Sequence, residues 1–173
     1  MADAPSTGRE AVRSVQLEQL RELLRIVRPA NAFYETKLAA AGIDASIESL
    51  EDFAARCPFT TKDELAADQA AHPPYGTNLS FPLEQYNRIH QTSGTTGKPL
   101  RWLDTPESWQ SMLKSWQAVY RAAGVSPTDR ALFAFSFGPF IGFWMAYEAA
   151  AQMGCLCFPG GGLTSTTRLR ILL

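Results

Sequence analysis

The chain has 173 residues, 46% of them hydrophobic, with 16 basic and 17 acidic side chains and a net charge of −1. That length suffices for a domain with a real core, burying about 70% of the surface its unfolded form would expose. Near-neutral charge without a basic run gives no ground for binding nucleic acid or an anionic membrane, so any nucleotide bound is expected to be a small molecule.

Residues 1–8 are small and polar and are expected to form a disordered tail. No charged and then apolar leader is visible, so a cytoplasmic location and free thiols at Cys57, Cys155 and Cys157 are expected. Leu17, Leu20, Leu24 and Val27 recur at helical spacing and predict a helix ending near Pro29. A second helix is predicted over 32–41, with Gly42 as its C-terminal cap. Ser49 with Asp52, and Thr61 with Glu64, predict two short capped helices separated by Pro58. Thr60, Thr61 and Lys62 are also open to anion binding, with capping favoured. His72-Pro73-Pro74-Tyr75-Gly76 predicts a surface loop, dividing a helical lobe over 9–75 from an α/β part over 76–173.

A strand over 85–90, a loop over 92–99 and a strand over 100–104 read as a hairpin. His90, just before the loop, is either a strand residue bonded to nearby backbone or part of a site. Thr105-Pro106 predicts a helix start, and Trp109, Met112, Leu113, Trp116 and Tyr120 its core face, with Gly124 ending it. The uncharged run 131–147 could be weighed as a membrane span, but Gly138-Pro139 divides it. It reads instead as a buried strand over 131–137 and a helix over 140–153, followed by a strand over 155–158 and a helix opening near Thr164. Strand, helix, strand with unbroken apolar strands predicts a parallel sheet, in which ligands sit beyond the carboxyl ends of strands. The glycines at those ends, Gly138, Gly160 and Gly161, fit either a pocket or plain tight turns. Cys155-x-Cys157 reads as core packing rather than as metal ligands. The chain stops inside an apolar helix, and a truncated α/β domain is expected.

The 92–99 loop reads Thr92-Ser93-Gly94-Thr95-Thr96-Gly97-Lys98-Pro99. Its glycines let N–H groups approach an anion, and its hydroxyls and ammonium add donors. A Walker loop would need glycine where Thr92 stands and a hydroxyl residue where Pro99 stands, so the sequence is not one. Taken alone, it fits a phosphate-binding loop or a surface turn equally.

With its surroundings the loop is more specific. The string resembles the phosphate loop of adenylate-forming enzymes. Asn31-Ala-Phe-Tyr-Glu-Thr-Lys-Leu, Ala41-Gly-Ile-Asp, Ser49-Leu-Glu-Asp-Phe, Pro58-Phe-Thr-Thr-Lys-Asp-Glu-Leu, Arg88-Ile-His, Phe137-Gly-Pro-Phe-Ile-Gly and Pro159-Gly-Gly-Gly resemble, in order, the N-terminal part of phenylacetate-CoA ligases. The resemblance implies an incomplete N-terminal α/β domain of an AMP-forming ligase that uses ATP, Mg2+ and CoA to activate a small carboxylic acid, aromatic in class. It implies that Thr92, Ser93, Gly94, Thr95, Thr96, Gly97 and Lys98 hold phosphates, and that Phe137, Gly138, Phe140, Gly160 and Gly161 line the acyl pocket. The family's adenine-binding motifs, hinge and adenylation lysine lie further along than this sequence, so no catalytic residue is carried over. Related adenylyl- or acyl-transferring enzymes share the loop. A non-catalytic nucleotide-binding module that self-associates is the other reading, and a homodimer is the expected assembly.

Overall fold

The computed structural model describes residues 8–94 and 98–172. Within the 92–99 string, Thr95, Thr96 and Gly97 lie outside the described residues, as does the tail up to residue 7. The chain divides into two compact units, one running to Leu83 and the other starting at Glu84.

The first unit is helical: α1 (Gly8–Ala30), α2 (Ala32–Ala40), α3 (Leu50–Arg56) and α4 (Lys62–Ala71). The leucine stripe of α1 faces inward, with Leu24 at the centre of a core completed by Leu38, Ile43 and Ile47. Asn31 interrupts α1 and α2 by capping: its side chain accepts from the Tyr34 N–H (3.1 Å) and donates to Asn78 (2.9 Å) and Ser80 (3.1 Å). Gly42 follows α2 at φ +66°, a region that favours glycine. The Ser49 hydroxyl caps α3. Thr61 and Glu64 form a reciprocal capping box on α4, and Lys37 donates to the same carboxylate. The Lys37 bond and then the Thr61 N–H hold Glu64 below the usual carboxylate range. Capping thus occupies Thr61.

The second unit begins with β1 (Arg88–Gln91) and β2 (Arg101–Asp104), antiparallel with Arg88 opposite Asp104 and Gln91 opposite Arg101. The first strand opens at Arg88 rather than 85, because 83–85 forms a 3-10 turn. Helix α5 (Pro106–Ala122) is capped by Thr105 and starts on Pro106. Its Trp109 and Leu113 pack on Ala149 of α6 (Ile141–Gln152). Strands β3 (Arg130–Phe133) and β4 (Leu156–Pro159) pair in parallel across α6, and α7 (Ser165–Leu172) follows. Cys155 is buried in the core around Phe133, Ala146 and Ala150, and all three cysteines are free. Burial, then the neighbouring Cys155, pushes the Cys157 thiol up, so it stays protonated at neutral pH. No helix of the described residues is long and apolar enough to cross a membrane.

The strand expected over 131–137 is shorter than its apolar run. β4 offers four pairing residues, and past Phe133 the ladder has no partner: the Phe133 carbonyl accepts instead from the Gly160 N–H (2.8 Å). The segment 134–138 therefore leaves the sheet as a loop, lying against the turn that follows β4. Glycine is required there. A Cβ on Gly161 would stand 2.6 Å from the Phe135 carbonyl oxygen and 2.9 Å from Ser136 Cα, both backbone atoms. Gly161→Ala is expected to destabilise the chain by about 1–3 kcal/mol through this overpacking, read as a lowered thermal midpoint, whereas Gly162→Ala lacks the clash and tests only its positive φ.

Candidate functional site

The base of the 92–99 loop is closed by its first residue. The Thr92 N–H donates to the Leu100 carbonyl, and the Leu100 N–H donates to Thr92 Oγ1, each at 3.0 Å. Of the expected phosphate ligands, Thr92 thus spends its hydroxyl lone pair on the loop itself. Gly94 takes φ +69°, the left-handed region that turns a loop back. Ser93 and Lys98 are exposed, and Lys98 makes no ion pair among the described residues.

The second half of the expected site comes from the loop between β3 and α6. Phe137 packs against Phe135, Trp144 and Tyr147, with ring centroids 5.4, 4.8 and 5.3 Å away. Phe135 stacks on Phe143 at 4.3 Å, and Phe140 meets the same ring edge-on at 6.0 Å. Gly138 sits at φ +49°, and its carbonyl accepts from Trp144 Nε1 (2.8 Å). The result is an aromatic wall of which Phe140 and Trp144 keep over a third of their surface exposed. Helix α6 begins behind it with no side-chain cap, leaving N–H groups of its first turn without a partner from that source.

One backbone bond joins the two halves. The Gln91 N–H, at the end of β1, donates to the Pro139 carbonyl at 3.0 Å. It brings the mouth of the loop against the Phe137–Phe140 segment. Gly160 and Gly161 press instead on the backbone that leads into that segment, Gly160 on Phe133 and Ala134 and Gly161 on Phe135 and Ser136. Their geometry is that of close chain approach, and Gly160 is buried. Of the five residues expected to line an acyl pocket, Phe137 and Phe140 stand in the wall, Gly138 lies between them, and Gly160 and Gly161 lie against residues 133–136.

A recess of about 240 Å3 opens between β1 and α6, lined by Arg88, Ile89, His90 and Trp144. A larger one, about 360 Å3, lies in the helical unit among Arg25, Arg28, Glu35 and Asp44. Its arginines are already paired, Arg25 with Glu22 and Arg28 with Glu35, so neither guanidinium is left over for an anionic ligand. No three or more His, Cys, Asp or Glu side chains among the described residues are grouped to hold a metal.

His90 departs from its simplest expectation. Its ring is buried, stacks on Trp109 (centroids 5.0 Å, 15° between planes) and turns Nδ1, which has no hydrogen-bond partner among the described residues, toward Asp104 Oδ2 at 3.5 Å. Sequence pattern also passes over Glu148. It accepts two hydrogen bonds from the Arg88 guanidinium (2.9 and 3.0 Å) and one from Trp109 Nε1 (2.8 Å). The available signal was its solitude, as the one charge in a helix otherwise made of apolar residues, glycine and a terminal glutamine.

No protein-family model matches the chain. It is similar to phenylacetate-coenzyme A ligases: 31% identical over 168 residues to that of Pseudomonas putida, covering 94% of this chain and 36% of the relative. To that of Thermus thermophilus it is 33% identical over 158 residues, covering 90% and 34%. The chain thus spans about a third of the length of the curated relatives it matches. Among solved structures, an open conformation of 2-hydroxyisobutyryl-CoA ligase in complex with 2-HIB-AMP and CoA matches with a TM-score of 0.84 at 26% identity, over 99% of this chain and 42% of that one. The same ligase in the thioesterification state gives 0.85 at 28% identity, over 99% and 38%. The resemblance carried by the ordered blocks is matched along nearly the whole chain: its α/β fold is that of the N-terminal part of an adenylate-forming CoA ligase.

The closing role of Thr92 is open to direct measurement. Leu100 is 3% exposed, so Thr92→Val would leave its N–H buried and unpaired, at a cost of about 1–3 kcal/mol. A lowered thermal midpoint together with faster exchange of the Leu100 amide is the expected outcome; Thr92→Ser, which keeps the acceptor, should restore most of both.

Proposed function

We propose that this chain supplies the phosphate-gripping and acyl-binding part of an ATP-dependent, AMP-forming carboxylate-CoA ligase, with an aromatic acid such as phenylacetate as its substrate. The supporting observation is the Gln91–Pro139 bond, which sets the mouth of a glycine- and hydroxyl-rich loop beside an exposed aromatic wall. In the reaction, an acid oxygen attacks the α-phosphorus of ATP, the bond to the β-phosphate oxygen breaks, and pyrophosphate leaves. The thiol of CoA then attacks the acyl carbon and AMP departs, giving the thioester. Ser93, Gly94, Thr95, Thr96, Gly97 and Lys98 would hold the β- and γ-phosphates, with backbone N–H groups, hydroxyls and one ammonium opposing the charge that gathers on the leaving pyrophosphate. Lys98, exposed and without an ion pair among the described residues, and the first turn of α6, without a side-chain cap, both favour anions.

Magnesium fits as part of the substrate. The described residues hold no cluster of carboxylates for it, and it binds nucleotides through phosphate oxygens while keeping several of its waters. Phe137 and Phe140 would give the acid's ring an apolar face. The relatives' names support an aromatic acid, while the solved 2-hydroxyisobutyryl-CoA ligase is in complex with 2-HIB-AMP and CoA.

Titration of the chain with ATP and with inorganic tripolyphosphate tests the loop. Loss of one charge-assisted contact costs about 1.5–3 kcal/mol, so Lys98→Ala should weaken both ligands by roughly tenfold or more. Equal affinity in wild type and variant would defeat the assignment. Homodimerisation is the second reading. Strand β4 pairs with β3 alone among the described residues and exposes Leu156 and Phe158, the kind of edge that recruits a second chain. Sedimentation velocity should then give a dimer at micromolar concentration whether or not ATP is present; a monomer would remove that reading.

A further inference from the structure

Outside the loop and the aromatic wall, a cluster of polar and aromatic side chains joins four elements of the second unit. Arg88 and His90 come from β1, Asp104 from β2, Trp109 from α5 and Glu148 from α6. The Arg88 guanidinium meets the Glu148 carboxylate in a two-pronged pair and lies over the Trp109 ring, 4.5 Å from its centroid. The same indole donates to Glu148 and stacks on His90. Asp104 faces the histidine with one oxygen and accepts from the Ser108 hydroxyl with the other (3.0 Å). Arg88 and His90 alternate with Ile89 and Gln91, so they share the face of β1 turned to α5 and α6. Gln91, next along, makes the bond to Pro139.

We infer that Glu148 is a positioning residue for the phosphate loop, locking β1 by its grip on Arg88 and Trp109 so that Gln91 meets Pro139 and the base of the loop lies beside the aromatic wall. This rests on the reading of 92–99 as a phosphate-holding loop, but the lock itself is a property of the hairpin and is measurable without ligand. A hairpin of four paired residues per strand is marginal alone. Its stability against sliding comes from what it is pinned to. Apolar contact tolerates small slips, whereas a planar guanidinium on a carboxylate fixes both distance and angle. Among the described residues assigned to phosphate or acid, Glu148 bonds to none, so the effect inferred for it on a ligand is indirect.

The test is amide hydrogen exchange on the ligand-free chain, wild type against Glu148→Gln, resolved at Gln91 and Leu100 and at Leu113 and Ala150 as references in α5 and α6. Exchange at Gln91 and Leu100 is expected to accelerate about tenfold while Leu113 and Ala150 stay within a factor of two, the pattern of a local rather than a global opening. ATP titration of the same variant should show affinity lowered roughly fivefold or more. Arg88→Lys keeps the charge without the fork and is expected to give the same local pattern, so the inference stays testable if Glu148→Gln folds poorly. Unchanged exchange at Gln91 and Leu100 would overturn it, as would uniform acceleration at all four amides. Wild type that binds neither ATP nor tripolyphosphate would defeat the phosphate reading instead, with the exchange result still deciding whether the lock exists.

Discussion

The carboxylate of Glu148 is where three elements of the second unit meet: α6 carries it, β1 grips it through Arg88, and α5 reaches it through the Trp109 indole. Side-chain exposures of 24% for Glu148 and 33% for Arg88 leave the pair partly wet. Solvent screening therefore brings it below a fully buried charge-assisted bond and above a surface pair, whose worth is about 0–1 kcal/mol. The energy is modest. Its use is directional, because apolar packing holds by shape and volume alone. A forked ion pair beside a tryptophan ring also fixes an angle.

The opposite side of the candidate site is set by an absence of side chains. Beyond the paired residues of β3 and β4, the two segments approach closely enough that Gly161 has no room for a Cβ and Gly160 only a tight one. Arg168 of α7 adds a bond from Nε to the Gly160 carbonyl (2.9 Å), closing that turn from the far end. Residues 133–136, which lead into the aromatic wall, are thus held by backbone contact, and Pro139 within the wall by Gln91.

How much of this could be read from sequence follows from the range of each interaction. The capping box of Thr61 and Glu64, the Thr105-Pro106 helix start and the core stripe of α5 depend on residues three or four apart, and all were legible. So was the parallel pairing of β3 with β4, through two apolar runs bracketing a helix. Strand ends were not, because the ladder after Phe133 stops for want of a partner, and no residue between 134 and 137 says so. Glu148 finds Arg88 across 60 positions and Trp109 across 39. Nothing local marks those distances. His90 is the intermediate case: its place before the loop drew notice, but only the fold reveals Trp109 on its face and Asp104 at its Nδ1.

A loop that grips an anion has to satisfy two opposed demands. Its donors cannot be spent within the protein, or the ligand must compete for them, yet a loop with no internal bonds pays heavily in entropy when the ligand orders it. The described ends of 92–99 divide the demands by position. Thr92 and Leu100 exchange two hydrogen bonds at the base, while Ser93 and Lys98 stand exposed just beyond. On the proposed reading, fixing the base would shorten the segment that must be ordered on binding. The direction of the base would then matter, because a short loop cannot correct for a hairpin that points the wrong way. That is the physical reason a carboxylate on α6, remote in sequence, would bear on what such a loop could hold.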